Sequence, residues 1–180
     1  GNETLLHPYV DSKGNFGKAY SRNMVYAAAR YTEAKLESIC SELFADIDKD
    51  TVDFIPNYSE TKDEPITLPA IFPNLLCNPN TGIGVAMACN WLPHNLGEVA
   101  QAIYDYMDGK EPMIPGPDFP TGGEIINKNE LPSIIKSGRG SVKLRGRYTF
   151  EGNNIVFYEI PYGIATEALM TEIGTACDEE

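Results

Sequence analysis

Apolar residues recur at helical spacing after Thr32, at Leu36, Ile39, Cys40, Leu43, Phe44 and Ile47. Steps of three and one place these side chains on one face, so the pattern predicts a helix. Thr32 is a suitable N-cap, and Glu33 complements the positive end of the helix dipole. Tyr31 would then stand just before the helix, where a phosphate group is favoured. Up to Gly17, turn-forming residues predict a loop instead.

A second helical pattern follows a cap near the middle of the chain. Asn95 with Glu98 three positions later resembles a capping box, so a helix is expected from about Leu96. Its apolar face comprises Val99, Ala102, Ile103, Tyr106 and Met107. A shorter helix is predicted from Glu130 to Ser137, capped by Asn129 and ended by Gly138.

The last third of the chain changes from helical to alternating spacing. From Ser141 to Phe150 apolar and basic residues alternate, which is the period of a half-buried strand whose outer face is basic. Gly152 to Asn154 predict a turn, and Ile155 to Tyr158 return as the partner strand of a hairpin. A final helix is predicted from Thr166.

Prolines indicate where the chain divides. Four of them lie between Pro56 and Pro73 among polar residues, which disfavours regular structure and predicts a crossing between structural units. We therefore place a domain boundary near Ser59, between residues 1–58 and residues 59–180. A helix in the first part, and helices with a β-hairpin in the second, predict a mixed α/β protein of the multi-domain α+β kind.

Composition limits the possible functions. The chain has 180 residues, 42% of them hydrophobic, which suffices for a sizeable core. Its net charge of −12 disfavours nucleic-acid binding by the chain as a whole. Positive charge is nevertheless concentrated in one segment without acids, at Lys136, Arg139, Lys143, Arg145 and Arg147.

Hydropathy, the first residues and the cysteine spacing bear on where the protein is located in the cell. No apolar stretch approaches the roughly 20 residues of a membrane helix. The first residues lack a signal-peptide core and an initiator methionine, so we expect an internal segment of a longer protein. The four cysteines are far apart with no C-x-x-C pair, which favours reduced thiols in the cytoplasm over a disulfide framework or a zinc site.

An ordered series of motifs runs along nearly the whole chain. The segments are Gly14–Gly17, Ala27–Glu33, Thr51–Tyr58, Pro73–Asn78, Gly82–Ala88, Pro93–Leu96, Pro115–Gly122, Ser137–Gly140 and Glu159–Tyr162. In order and spacing they resemble the DNA-cleaving region of the A subunits of bacterial DNA gyrase and topoisomerase IV. Each motif alone is weak, but the series is specific. The resemblance implies the C-terminal part of a winged-helix domain in residues 1–58, followed by an α/β tower domain.

The same resemblance implies an activity and its principal residues. The family is an ATP-dependent type IIA topoisomerase, an isomerase in which a tyrosine attacks a DNA phosphate and leaves a 5′-phosphotyrosyl link. Tyr31 occupies that position here; without the resemblance, ordinary packing is the expected role of any of the ten tyrosines. Arg30 is expected to stabilise transition-state charge, because arginine stays protonated and cannot act as a base. The alternative for Arg30 is a solvated surface residue.

Several further residues are candidate DNA contacts. In the resembling family the residue matching Ile83 inserts between base pairs and bends the duplex, whereas core packing is the ordinary role of an isoleucine. Lys143, Arg145 and Arg147 would be spaced by roughly 6.6 Å along a strand and could follow a phosphate backbone. A merely solvated sheet face is an equal alternative. The remaining candidates for phosphate contact are Lys13, Lys18, Arg22 and Arg139.

Metal and partners are also implied by the resemblance. His7 and His94 are too isolated to predict a metal pair, and structural anchoring is expected of His94. Magnesium and ATP are expected on a partner B subunit, with none bound by this chain. The predicted partners are double-stranded DNA, a B subunit and a second A subunit, in an A2B2 assembly located on the chromosome in the cytoplasm.

Some alternatives remain open from the sequence. The family's upstream histidine and basic residues would precede Gly1, so this segment alone is expected to be inactive. A non-cleaving DNA-bending or scaffold module of the same fold is the rival function. A phosphate-binding enzyme built on Gly82–Gly84 has little support, because the lysine and hydroxyl residue of a phosphate loop are missing. Between Gly17 and Arg30 the chain lacks acids, which leans towards topoisomerase IV over gyrase.

Overall fold

A computed structural model describes residues 4–18 and 20–178. Within these residues ten short strands pair two by two in antiparallel order. The strands are β1 Val10–Lys13, β2 Glu33–Leu36, β3 Phe54–Pro56, β4 Asp63–Pro65, β5 Asn80–Gly84, β6 Met87–Trp91, β7 Glu124–Ile125, β8 Leu144–Arg145, β9 Arg147–Glu151 and β10 Asn154–Glu159. The helices are α1 Cys40–Phe44, α2 Asn74–Cys77, α3 Leu96–Met107, α4 Leu131–Ser137 and α5 Thr166–Asp178. The predicted mixture of helices and strands is confirmed.

The region around Thr32 differs from the prediction. Residues 33–36 form β2 and pair with β1, in the register Val10 with Leu36 and Lys13 with Glu33. The predicted loop before Gly17 therefore contains a strand, and the helix with Thr32 as its N-cap is wrong. Only the short helix α1 remains of the predicted helix, with Cys40 and Leu43 buried. The periodic spacing was misleading because a partner strand 20 or more positions earlier supplies ladder hydrogen bonds that local spacing does not indicate.

The helices of the second half are largely as predicted. Asn95 caps α3, and its side-chain oxygen accepts hydrogen bonds from the backbone amides of Gly97 and Glu98. Of the predicted apolar face only Val99 and Ala102 are buried. The final helix begins at Thr166 as expected.

The α4 helix has the predicted end but a different beginning. Gly138 ends it in the left-handed conformation, with φ of 65°. Asn129 is not its cap, because a 3-10 turn over Lys128–Glu130 leads directly into the helix and Glu130 occupies the cap position. The side chain of Asn127 fastens this turn by donating to Glu130 and to the Ser141 carbonyl.

The predicted strand from Ser141 to Phe150 is two strands with different partners. β8 pairs with β7, whereas β9 pairs with β10 in the predicted hairpin. The break is at Gly146, where a Cβ atom would lie 2.7 Å from the carbonyl oxygen of Glu159. Only glycine permits this close approach. The three alternating cations therefore do not lie on one continuous strand, and this part of the prediction is wrong.

The proline-rich segment is more regular than its composition indicates. β3 and β4 pair across it, with Phe54 opposite Pro65. Ser59 lies in the loop between these two strands, and the division of the chain there stays a prediction. The N-terminal residues contact the segment after the proline-rich region through buried Asn78. The Asn78 side chain accepts from the His7 backbone amide and donates to the His7 carbonyl and to the Tyr9 hydroxyl.

Candidate active site and nucleic-acid interface

Tyr31 is the last residue of a 3-10 turn over Ala29–Tyr31. Its backbone amide donates to Ala28, and both the amide and the hydroxyl of Thr32 donate to Ala29. These bonds fix the backbone, while Tyr31 itself is 66% exposed. Tyr31 therefore does not stand at the entrance of a helix, and a helix dipole does not draw phosphate to it. A firmly held backbone and an accessible phenol are the features that the structure supplies.

The loop before Tyr31 is held by the Gly14–Gly17 motif. The Asn15 side chain accepts from Gly17 and donates to the Val25 carbonyl, and its backbone carbonyl accepts from Ala27. Gly14 has φ of +88°, and a Cβ atom there would lie 2.6 Å from the Tyr31 carbonyl oxygen. The motif thus allows two backbone segments to approach closely directly behind the tyrosine.

Arg30 lies over the ring of its neighbour. The guanidinium carbon is 4.8 Å from the centroid of the Tyr31 ring, within the range of a cation–π contact. Among the described residues Arg30 has no carboxylate partner. Its charge is therefore available to a phosphate beside the Tyr31 hydroxyl.

The other predicted cations near Tyr31 differ in their surroundings. Lys13 is 3.5 Å from the Glu33 carboxylate across the β1–β2 pair. Lys18 lies 5.9 Å from the centroid of the Tyr20 ring. Arg22 is exposed, and its backbone amide donates to Glu167. The described contacts of these three cations have no partner in common.

Ile83 lies near the tip of the β5–β6 hairpin, far from any core. It is 87% exposed, and Val85 in the turn is fully exposed. Gly82, which precedes it, has no atom within 4 Å of the position of a Cβ. Core packing of Ile83 is therefore excluded, and the hairpin presents an apolar tip to its surroundings.

The basic segment from residue 136 to residue 147 is partly neutralised. Arg145 donates to Glu124 at 2.8 Å, and Arg147 lies 3.6 Å from Glu159. The hydrogen bond from Arg145, together with its charge, lowers the pKa of the Glu124 carboxyl below its usual value. The residues of this segment that have no ion pair among the described residues are Lys136, Arg139 and Lys143.

The remaining candidates have structural surroundings. His94 is anchored to Leu76 through its backbone amide and its ring Nδ1, as expected. The cysteines that the structure describes are free thiols, and burial raises the pKa of Cys77. In residues 4–18 and 20–178 no group of three or more histidine, cysteine or acidic side chains could hold a metal. No helix in that part of the chain is long and apolar enough to cross a membrane.

Two residues with a part in the site have no signal of their own in the sequence. Asn15 stands out only as part of a motif, and two of its three hydrogen bonds, to Val25 and from Ala27, depend on how residues 24–27 fold back. Glu167 is one acid among several in the final helix, although its carboxylate accepts from the Ser21 hydroxyl and the Arg22 amide. A contact over 146 positions leaves no trace in local sequence pattern.

Comparison with known proteins decides the family. A family model for the A subunit of DNA gyrase/topoisomerase IV matches residues 3–180. The chain belongs to this family. The DNA gyrase A subunit of Chlamydia trachomatis is 43% identical over 98% of this chain and 22% of its own length. The DNA topoisomerase 4 A subunit of Rickettsia felis is 43% identical over 94% of this chain and 25% of its own length.

Both branches of the gyrase/topoisomerase IV family are thus similar to the chain. A third relative, the DNA gyrase A subunit of Mycolicibacterium smegmatis, is 42% identical over 94% of this chain and 22% of its own length. The chain spans about a quarter or less of the relatives it matches. The matched range includes Tyr31, Arg30, Ile83 and the basic segment.

Proposed function

We propose that this chain is part of the DNA cleavage and religation subunit of an ATP-dependent type IIA topoisomerase, an isomerase. The observation that carries the proposal is the Ala29–Tyr31 turn, where an exposed tyrosine stands beside an arginine without an acidic partner among the described residues. In a chain of the gyrase/topoisomerase IV family, that pair has the chemistry that DNA cleavage needs.

The proposed reaction is a transesterification. The phenolic oxygen of Tyr31 attacks a backbone phosphorus, and the bond from phosphorus to the 3′ oxygen breaks. Tyr31 becomes joined to the 5′ phosphate, its proton leaves to water or a base, and the departing 3′ oxygen takes up a proton. The number of phosphoester bonds is unchanged, so the reverse attack by the 3′ hydroxyl reseals the strand.

Arg30 is proposed to stabilise the charge that develops in this reaction. A phenol is a poor nucleophile near neutral pH, so a nearby cation that favours the phenolate accelerates attack. The guanidinium also forms a planar fork that matches two phosphate oxygens. Its position over the Tyr31 ring, 4.8 Å from the ring centroid, supports this role.

The DNA is proposed to lie across the Tyr31 turn, the β5–β6 hairpin and the cations on both sides of them. Ile83 would insert between base pairs and trade unstacking energy for additional protein contact. Phosphates would be bound chiefly by two cations of the basic segment that have no ion pair among the described residues, Arg139 and Lys143. The cations nearer the tyrosine, and those already paired with acids, would add further contacts: Lys13, Lys18, Arg22, Arg145 and Arg147.

The intact assembly is proposed to supply what these residues lack. A second A subunit would cut the other strand, while a B subunit would bring magnesium and ATP. Residues 1–58 would form the C-terminal part of a winged-helix domain and residues 59–180 part of a tower domain. The steps assigned to this chain need no metal ligand from its own residues.

Adduct trapping in the intact subunit with its partner tests the proposal. Tyr31→Phe removes the attacking oxygen and should abolish covalent DNA adducts while DNA binding remains. Tyr26→Phe is the matched control, because Tyr26 is 74% exposed and five positions away. Adducts that persist in Tyr31→Phe, or that disappear equally in Tyr26→Phe, would overturn the assignment.

A non-cleaving DNA-bending module is the second candidate, and the bare hairpin tip favours it. Ile83 and Val85 could deform DNA without any nucleophile. In that case the wild-type assembly would bend DNA but yield no covalent adduct under denaturing conditions. The same trapping experiment therefore separates the two functions.

A further inference from the structure

The start of α5 is bonded to the loop that precedes the tyrosine turn. The backbone amide of Thr166 donates to the Tyr20 carbonyl at 2.7 Å. One carboxylate oxygen of Glu167 accepts from the Ser21 hydroxyl, and the other accepts from the Arg22 amide at 3.3 Å. A single side chain thus engages two donors of the 20–23 turn.

The 20–23 turn is connected through backbone hydrogen bonds to the segment that packs behind Tyr31. The Ser21 amide donates to the Lys18 carbonyl, and the Lys18 amide donates to the Met24 carbonyl. The two sides of this loop are then joined by the bond from Ala27 to Asn15. Gly14, next to Asn15, packs against the Tyr31 carbonyl. A displaced 20–23 turn would therefore displace the backbone that holds Tyr31.

Charge strengthens the contact. The hydrogen bond from Ser21 lowers the pKa of the Glu167 carboxyl, so the group is ionised near neutral pH. Hydrogen bonds to a carboxylate are roughly twice as strong as those between neutral groups. Glu167 also lies in the first turn of α5, where negative charge complements the helix dipole.

We propose that Glu167 is a positioning residue for DNA cleavage, which acts through Ser21 to hold the Arg30–Tyr31 turn at the scissile phosphate. This rests on the proposed function. It makes α5, which is distant from Tyr31 in sequence, part of the support of the nucleophile. Glu167 itself is proposed to touch neither DNA nor Tyr31.

The experiment measures the rate of covalent adduct formation at saturating DNA, and DNA affinity separately, in the intact subunit with its partner. Glu167→Ala and Ser21→Ala are each expected to slow adduct formation about tenfold, because misplacing a reacting group by about 1 Å can cost up to ~100-fold. DNA affinity should change less than about twofold, because the chief proposed phosphate contacts, Arg139 and Lys143, lie outside this turn and Arg22 within it keeps its charge. Ser21→Thr keeps the hydroxyl donor and should restore the rate.

Two comparisons separate positioning from general stability. The loss in the double variant Glu167→Ala with Ser21→Ala should be smaller than the product of the two single losses, because both single variants remove the same Ser21–Glu167 hydrogen bond. Glu172→Ala on the same helix is the control and should match wild type, since the Glu172 side chain has no hydrogen bond or ion pair among the described residues. Thermal unfolding of each variant identifies any loss that is due to misfolding.

The outcomes are distinct. Unchanged adduct rates in Glu167→Ala and Ser21→Ala would overturn the positioning role, as would additive losses or a parallel fall in DNA affinity. If wild type forms adducts that Tyr31→Phe abolishes, these results count against the role of Glu167 alone. If wild type forms no adduct, the proposed function itself fails.

Discussion

Arg30 and Arg145 are both arginines on the surface, but their guanidinium groups have different neighbours. Arg145 donates to Glu124 at 2.8 Å. Arg30 instead lies over the Tyr31 ring and forms no ion pair with any acidic residue that the structure describes. An exposed ion pair contributes little to folding stability. Its acidic partner nevertheless offsets the positive charge of the arginine, which would otherwise attract a phosphate. The availability of a cation therefore depends on which acid the fold places beside it.

The largest difference between Arg30 and Arg145 should appear in the rate of adduct formation when each is replaced by alanine. Arg30→Ala is expected to slow adduct formation about 100-fold, because it removes a charged donor at the developing transition-state charge. Arg30→Lys should recover little of this loss, since lysine cannot form the planar fork. Arg145→Ala should change the rate less than about threefold, because its charge is already offset by Glu124. Equal losses in Arg30→Ala and Arg145→Ala would contradict the distinction.

A second, smaller difference concerns the backbone behind the tyrosine. Gly14→Ala introduces a Cβ 2.6 Å from the Tyr31 carbonyl oxygen, so the turn must shift. We expect adduct formation to fall about tenfold, by the same misplacement that makes ~1 Å errors costly in active sites. Gly109→Ala is the matched control, because Gly109 also has positive φ but has no atom within 4 Å.

Both glycine variants share the strain of a left-handed alanine, which costs roughly 1–2 kcal/mol. Thermal unfolding should therefore shift down in both, and only Gly14→Ala should lose cleavage. If Gly109→Ala lost cleavage to the same extent, general destabilisation would explain the result. The close approach of Gly14 to the Tyr31 carbonyl would then have no specific role in cleavage.

The smallest effect is expected within the basic segment. Lys143→Ala should lower the slope of log affinity against log salt by about 1, as for the loss of one phosphate contact. Arg145→Ala should lower it by less, because Glu124 already holds that side chain. Titrations of the intact subunit with duplex DNA at several salt concentrations measure both. A larger change in Arg145→Ala than in Lys143→Ala would reverse the order.

The sequence predicted well those features that depend on nearby residues. Asn95 as a cap, Gly138 as a helix end and Gly152 in a hairpin turn were all confirmed, because each acts within a few positions of itself. The family could also be predicted from the sequence, because an ordered series of motifs, including the one around Tyr31, extends along nearly the whole chain.

The sequence failed where distant segments decide the structure. The spacing after Thr32 indicates a helix, but pairing with residues 10–13 makes a strand. The alternation through Lys143 and Arg145 indicates one basic strand, but Gly146 lets the chain change partners. The link from Glu167 to Ser21 likewise depends on the folded chain, as does the pairing of Arg145 with Glu124.

Tyr31 is proposed to form the bond to DNA, and mass spectrometry of the trapped adduct tests this most directly. Trypsin cuts after Arg22, Arg30 and Lys35, so Tyr26 and Tyr31 fall in different peptides. Where the adduct hinders cleavage after Arg30, fragment ions still distinguish the two tyrosines. A 5′-phosphonucleotide is expected on Tyr31 alone. A nucleotide on Tyr26, or on any other residue, would contradict it.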